Sequence, residues 1–281
     1  MRLFVIAWTL LTLIAGAVPV LVGLGTGRFV PRETFAARVE ALAPHAVIVL
    51  PEGPPRGVVL LFHGCGGVNI AMTDWSVVYA SLGLASITVD SLAPRGIGRA
   101  EALTRVCGGS LLWGQERAGD VFAAIALAGR DPALSGLPVV LAGWSHGGWS
   151  ILEAMGVPDG TLPWGLADRP EDLLERVVAV QLTYPYCGPA ASGRISDWTH
   201  LPPTLLLQGA RDTVVGVAAC QRRLAPLEER GLRLEQHLFE GTDHSFDQRD
   251  LPDFTYLAHD PEATAKAHAL AVTFLRSVFG E

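Results

Sequence analysis

Ser145 stands in a sequence context that could make its hydroxyl a nucleophile. It is the central residue of Gly143-Trp144-Ser145-His146-Gly147, which lies between an apolar run and a stretch with helical character. A strand that turns sharply into a helix exposes such a serine, and the flanking glycines allow the tight turn. The turn also leaves the backbone N–H of His146 at a helix N-terminus, where it can stabilise an oxyanion. The pattern therefore predicts covalent catalysis by Ser145.

A serine hydroxyl is a weak nucleophile and needs a base, which in turn needs an acid to orient it. Asp212 and His244 each come directly after an apolar run, just past the end of a predicted strand. The order serine, aspartate, histidine is one of the known chain orders for such a triad. Two alternatives stay open for the acid: Asp212 could instead cap a following helix, and Asp243 could take its role. The sequence predicts the triad Ser145, Asp212 and His244.

A second oxyanion donor is expected from the glycine-rich loop at residues 63–67. Its sequence is His63-Gly64-Cys65-Gly66-Gly67, and its glycines let backbone N–H groups approach a substrate closely. The N–H of Cys65 is the first choice and that of Gly66 the second. His63 is interpreted as a structural hydrogen-bonding residue beneath the loop. Cys65 is less favoured than Ser145 as a nucleophile, because no comparable turn surrounds it.

Apolar runs and helical stretches alternate along the chain after a linker that extends to about residue 45. The alternation predicts an α/β fold with a mostly parallel sheet, helices on both of its faces, and ligands at the carboxyl ends of the strands. Residues 157–175 fit neither periodicity and are predicted to form a short lid-like excursion. Strands are predicted at residues 46–50, 57–62, 84–90, 138–143, 177–183, 204–208 and 234–239, and helices at 74–82, 113–128, 146–156, 215–230 and 261–279.

The N-terminus has a separate character. Residues 3–27 carry no charge and are mainly apolar, with Arg2 before them and Arg28 after them. They could form a signal peptide, with an apolar stretch at 3–14 and small residues at 15–17 as the cleavage site. They could equally form an uncleaved anchor, because the run is long enough to span a bilayer core of about 30 Å. We therefore expect a signal peptide or membrane anchor in residues 1–30, a catalytic domain in residues 31–281, and export (periplasmic or secreted) or membrane attachment.

Composition limits the kinds of molecule that this protein is expected to bind. The net charge of −7 and the absence of a basic cluster argue against a nucleic-acid partner. The four cysteines have no spacing typical of metal ligands, and we expect neither a metal nor a cofactor. In an exported protein they could form disulfides, although four buried free thiols remain an alternative. The expected pairs are Cys187 with Cys220, which follow neighbouring predicted strands, and Cys65 with Cys107.

The motifs taken together resemble the dienelactone hydrolase family of α/β-hydrolases, in particular an exported branch with serine at the nucleophile position. The resemblance covers residues from about 45 to 281 and implies the triad above and hydrolysis of a small-molecule ester or lactone. The hydrolases that name the family use cysteine where this chain has Ser145, so dienelactone itself is not the expected substrate. The matching segments are residues 63–67, 89–96, 143–148, 184–187, 208–212 and 244–247.

Two further residues are candidates for substrate binding. Arg95 could hold a substrate carboxylate through two parallel hydrogen bonds. It could instead stabilise its own turn by pairing with Asp90 or a neighbour. Trp144, beside the predicted nucleophile, is the second candidate.

Two other functions stay open. A peptidase of the prolyl-oligopeptidase type would use the same serine turn and triad, although such enzymes usually carry a large accessory domain. A catalytically silent scaffold that only binds its partner would more often have lost a member of the triad. Both are less favoured than an ester hydrolase.

Overall fold

The structure, a computed structural model, describes residues 27–280. Its seven strands form one sheet in the order β1-β3-β2-β4-β5-β6-β7. Strand β1 pairs antiparallel with β3, and every other neighbouring pair is parallel. The strands are β1 (Ala46–Val49), β2 (Val58–Phe62), β3 (Ala85–Val89), β4 (Val139–Trp144), β5 (Val177–Thr183), β6 (Thr204–Gly209) and β7 (Leu234–Phe239).

Six longer helices cover the two faces of this sheet. Side chains that alternate along β2 and β4 contribute in turn to two separate apolar cores, one on each face. Helices α1, α3, α4 and α5 contribute to one core, and α2 and α6 contribute to the other. The helices are α1 (Phe35–Leu42), α2 (Ile70–Ala80), α3 (Gly114–Arg130), α4 (His146–Met155), α5 (Val217–Glu229) and α6 (Pro261–Phe279).

The fold class expected from the sequence is confirmed: the sheet is mostly parallel and lies between two helical layers. The seven predicted strands are present with small shifts at their ends. Helix α2 begins at Ile70 rather than at residue 74, because the Asn69 side chain caps it by accepting the N–H of Ala71 at 2.9 Å.

The expected linker before residue 45 is wrong, because it contains helix α1. The Thr34 hydroxyl caps α1 by accepting the N–H of Ala37 at 3.2 Å. The buried side chains Phe35, Val39 and Leu42 join the apolar core to which α3 also contributes. At eight residues α1 is too short to be stable alone, so tertiary packing holds it.

The excursion expected at residues 157–175 leaves the sheet after α4 and packs on helix α3. Its Trp164 stacks on Trp113 with ring centroids 5.9 Å apart, and the Arg169 guanidinium lies over the Phe122 ring at 4.6 Å. These contacts dock the segment against α3 and the residues that precede it. The segment is therefore an excursion, as the sequence predicts, and none of its residues lines the cavity at Ser145.

The predicted signal peptide or anchor at residues 1–30 lies almost entirely outside the described residues. Within residues 27–280, none of the helices combines the length and the apolar character that crossing a bilayer requires.

Candidate active site

Ser145 occupies a strained turn between β4 and α4. Its backbone has φ +51° and ψ −113°, a conformation that side-chain-bearing residues rarely adopt. The turn brings the start of α4 against the end of β2: a Cβ added to Gly147 would lie 1.9 Å from the carbonyl oxygen of Phe62. Glycine at position 147 is therefore required for this approach, and the Ser145 hydroxyl lies at the carboxyl edge of the sheet.

His244 and Asp212 complete a continuous chain of hydrogen bonds with Ser145. The His244 Nε2 atom lies 3.0 Å from Ser145 Oγ, and its Nδ1 atom lies 2.8 Å from Asp212 Oδ2. The carboxylate accepts a hydrogen bond from the Nδ1–H group. The lone pair of Nε2 is then free to accept the hydrogen bond of the serine hydroxyl. The three side chains come from the ends of β4, β6 and β7. The structure thus brings together the residues that the sequence analysis named.

The second oxygen of Asp212 is also occupied. Asp212 Oδ1 accepts the N–H groups of Val214 at 3.0 Å and Val215 at 2.9 Å. Burial opposes ionisation of this carboxyl, but its hydrogen bond to His244 and these two N–H groups outweigh burial and lower its pKa. Asp212 therefore caps its turn and faces the histidine at once, which unites the two roles that the sequence left open.

Asp243, the alternative acid, faces away from the histidine ring. Its carboxylate accepts the backbone N–H and the hydroxyl of Thr213, and the backbone N–H of His244 at 2.7 Å. It ties the loop after β7 to the loop after β6 and makes no contact with the imidazole.

The buried carboxylate of Asp247 links three aromatic side chains beneath the site. Its Oδ2 accepts the indole N–H groups of Trp75 and Trp144, each at 2.7 Å, and its Oδ1 accepts the hydroxyl of Tyr184 at 2.5 Å. Burial, and then the nearby charge of Asp247, raises the pKa of the Tyr184 hydroxyl well above its ordinary value, so this donor stays protonated. The Tyr184 ring also packs on His244 with centroids 4.5 Å apart. Asp247 thereby connects the loop that carries His244 to strand β4, which ends next to Ser145.

Two backbone N–H groups in the segments next to Ser145 have no hydrogen-bond acceptor among the described residues. They belong to Cys65 and His146. Gly64, next to Cys65, lies against Ser145: a Cβ added to it would be 3.6 Å from Ser145 Cβ. The loop after β2 and the start of α4 thus flank Ser145 from two sides.

A cavity of about 230 Å³ opens at Ser145 and His244. Its volume is somewhat below the roughly 300–1,000 Å³ that is usual for sites of drug-sized ligands, so it suits a small substrate. Its walls come from the loop after β2, from the helical segment Arg99–Glu101 and Ala102–Val106, and from residues 248–257. Apolar side chains predominate among the lining residues, which include Leu103, Val214, Leu251, Pro252, Phe254 and Leu257.

The two candidate substrate-binding residues differ from expectation. Arg95 does not line the cavity; its guanidinium binds both carboxylate oxygens of Asp120, at 2.9 and 3.0 Å, and donates to the Ser91 carbonyl. We therefore reassign Arg95 from substrate binding to a structural ion pair with α3. Trp144 lines the cavity, but its ring is only 2% exposed and its N–H is taken by Asp247.

The four cysteines form two disulfides in the pairs named from the sequence. Cys65 bonds to Cys107, and Cys187 bonds to Cys220. The first pair lines the cavity and is open to solvent, whereas the second is buried. The first therefore joins the candidate oxyanion loop to the cavity wall. Within residues 27–280, no group of three His, Cys, Asp or Glu side chains is arranged to hold a metal.

Sequence reasoning missed the roles of Asp247, Tyr184 and Trp75. Tyr184 did carry a signal, because it directly follows β5 as the triad residues follow their strands. No pattern in the sequence connects Trp75 with Asp247, because 172 residues separate them along the chain.

Comparisons with known proteins agree with this geometry. The family model "Dienelactone hydrolase family" matches residues 45–279. Esterase 2 of Thermogutta terrifontis, phosphorylated by paraoxon, has 19% sequence identity and a TM-score of 0.61, over 83% of this chain and 88% of that one.

Two further solved structures are similar. A dienelactone hydrolase from Anabaena variabilis has 21% identity and a TM-score of 0.56, over 83% of this chain and 90% of that one. A dienelactone hydrolase-like promiscuous phosphotriesterase from metagenomic libraries has 16% identity and a TM-score of 0.63, over 83% and 92%. No curated protein matches the chain.

Proposed function

Because this chain belongs to the dienelactone hydrolase family, we propose that it hydrolyses carboxylic esters or lactones through an acyl-enzyme formed on Ser145. The observation that carries the proposal is the unbroken hydrogen-bonded chain from Ser145 Oγ through His244 to Asp212, beside an open cavity. The esterase named among the structural neighbours, which paraoxon phosphorylates, supports the same chemistry. The family match favours neither the prolyl peptidase nor the silent scaffold.

Acylation begins when Ser145 Oγ attacks the carbonyl carbon of the ester while its proton passes to Nε2 of His244. As negative charge develops on the carbonyl oxygen, that oxygen accepts hydrogen bonds from the backbone N–H groups of Cys65 and His146. The ionised Asp212 stabilises the imidazolium through the Nδ1–H bond. His244 then gives its proton to the leaving alkoxide, and the acyl group remains on Ser145.

Deacylation repeats these roles with water. His244 Nε2 takes a proton from a water molecule, whose oxygen attacks the acyl carbon, and the same two N–H groups bind the second oxyanion. The proton returns to Ser145 Oγ as the acid leaves. For a lactone the alcohol stays attached to the acyl chain, so both products leave as one hydroxy acid.

The pH dependence should be a single rising limb. His244 must be neutral to accept the serine proton, so kcat/KM should rise as the pH increases. The pKa of Asp212 is lowered, so Asp212 is already ionised along this limb and adds no step. The pKa values of His63 and His146 are also lowered, first by burial and then by the charge of Arg117, which favours the neutral form of both rings. Rates measured at subsaturating substrate between about pH 5 and 9 test this, and a flat profile would contradict a histidine base.

A turnover panel tests the substrate class. Aryl esters of increasing acyl length, simple lactones and a prolyl amide should be compared at equal active-site concentration. We expect turnover of esters or lactones and none of the amide. Turnover of the amide alone would support the peptidase, and a folded protein without any turnover would support the scaffold.

The place of action is a separate part of the proposal: export to an oxidising compartment, by secretion or with an anchor. It is supported by the two disulfides and by the uncharged run at residues 3–27. Full-length protein made in a bacterium should fractionate outside the cytoplasm, with its four cysteines inaccessible to alkylation until reduced. A chain lacking residues 2–27 is the control and should stay inside. Full-length protein in the cytoplasm with four free thiols would contradict export.

A further inference from the structure

We infer that Arg117 is a positioning residue that holds both oxyanion donors in place; the inference rests on the proposed function. Arg117 lies on α3, with a side chain that is 1% exposed and no contact with the cavity. Its Nη1 atom donates to the carbonyl oxygen of His63 at 2.7 Å and to Nδ1 of His146 at 3.2 Å. One guanidinium nitrogen therefore touches the two segments that carry the candidate N–H donors.

The contact with His146 fixes the start of α4. Arginine can only donate hydrogen bonds, so His146 Nδ1 is the acceptor and its ring is neutral with the proton on Nε2. Burial, reinforced by the charge of Arg117, holds the pKa of His146 well below its ordinary value. The imidazole of His146 thus anchors the start of α4, and its backbone N–H is the proposed oxyanion donor.

The contact with His63 fixes the other donor through a short relay. The backbone N–H of Ser91 donates to His63 Nε2 at 3.1 Å, so the ring proton is on Nδ1, which donates to the Gly64 carbonyl at 2.6 Å. That carbonyl belongs to the same peptide group as the N–H of Cys65, and in a trans peptide the two point in opposite directions. Arg117 reaches this relay at both ends, because its Nε also donates to Ser91 Oγ at 2.8 Å.

A contribution to the stability of the fold does not by itself explain why an arginine is buried at position 117. It forms no ion pair with a carboxylate within residues 27–280, and its Nη2 atom has no hydrogen-bond partner there. Burial lowers its pKa to about 10, so the group is still charged at neutral pH. A buried cation without a paired carboxylate is costly to the fold. The cation also lies behind both N–H donors, where its charge favours a developing oxyanion.

The test compares Arg117→Met with Arg38→Met. Arg38 is equally buried and bonds to Asp120 on the same helix, but it touches neither His63 nor His146. Each variant is titrated with a fluorophosphonate, and kcat is expressed per labelled site. We expect R117M to lose roughly 100-fold in kcat with KM within threefold, as misplaced oxyanion donors do, and R38M to stay within threefold of wild type.

Hydrolysis of a thiono ester distinguishes a role in positioning the oxyanion donors from a merely structural role. Sulfur accepts hydrogen bonds poorly, so the wild-type preference for the oxygen ester over its C=S analogue reports the oxyanion donors. R117M should reduce that preference about tenfold, and R38M should preserve it. Equal losses on both esters, or an R117M enzyme with the kcat of R38M, would overturn the inference.

Arg117→Lys covers the case in which R117M does not fold. An ammonium keeps the charge but lacks the fork that reaches Ser91, His63 and His146 together. We expect an intermediate loss of roughly tenfold in kcat and a reduced oxygen-over-sulfur preference. R117K with wild-type kcat and preference would also overturn the inference. Failure of the proposed function looks different: wild type itself would neither be labelled nor turn over an ester.

Discussion

Ser145→Ala should lower kcat for ester hydrolysis by about 10⁴- to 10⁶-fold while leaving the fold intact. The change removes the attacking oxygen from an exposed turn and takes no volume from either apolar core. Binding and the oxyanion donors remain, so a small residual acceleration over water should persist. Initial rates on an activated aryl ester, with thermal unfolding measured in parallel, check both parts.

Ser76→Ala is the matched control for this change. Ser76 is a buried serine on α2 whose hydroxyl donates to the Met72 carbonyl at 2.8 Å, away from the cavity. We expect its kcat to stay near wild type. An S145A enzyme that keeps more than about a tenth of wild-type kcat would remove Ser145 as the nucleophile.

His244→Ala should be nearly as damaging as Ser145→Ala, and the double variant little worse than either, because the two side chains act as a unit. Asp212→Asn should cost about 10³- to 10⁴-fold in kcat. The structure supplies the reason: Oδ1 of Asp212 accepts two backbone N–H groups, so the Asn carbonyl oxygen must occupy that position. The amide NH₂ then faces His244 Nδ1 and imposes the tautomer that cannot accept the serine proton.

Asp243→Asn is the control for the acid. Its amide oxygen can still accept the N–H groups of Thr213 and His244, so we expect kcat within about tenfold of wild type. If D243N loses more activity than D212N in the same assay, the acid has been assigned to the wrong aspartate.

The sequence was sufficient to name Ser145, Asp212 and His244 together, because each lies at or shortly after the end of a strand. Apolar runs marked the strands, and the carboxyl ends of neighbouring parallel strands meet at one edge. The partner of Arg95 could not be predicted in the same way. This partner, Asp120, lies 25 residues away on α3, and nothing local to the turn at Arg95 indicates that pairing.

Features that depend on long-range packing could not be predicted. Helix α1 has a short amphipathic pattern, and its stability comes from burial against the core that it shares with α3. The excursion at 157–175 had the composition of a lid, but its Trp164 stacks on Trp113 and its Arg169 lies over Phe122 of α3. The contacts of Arg117 join α3 to two separate loops and leave no periodic trace in the sequence.

Covalent labelling tests the central claim most directly. Folded wild-type protein should be treated with a fluorophosphonate, digested and mapped by mass spectrometry, beside S145A and S76A. The account predicts one adduct per chain on Ser145, with loss of ester turnover in proportion to labelling, full labelling of S76A and none of S145A. An adduct on another residue, or active wild-type enzyme that resists labelling, would contradict it.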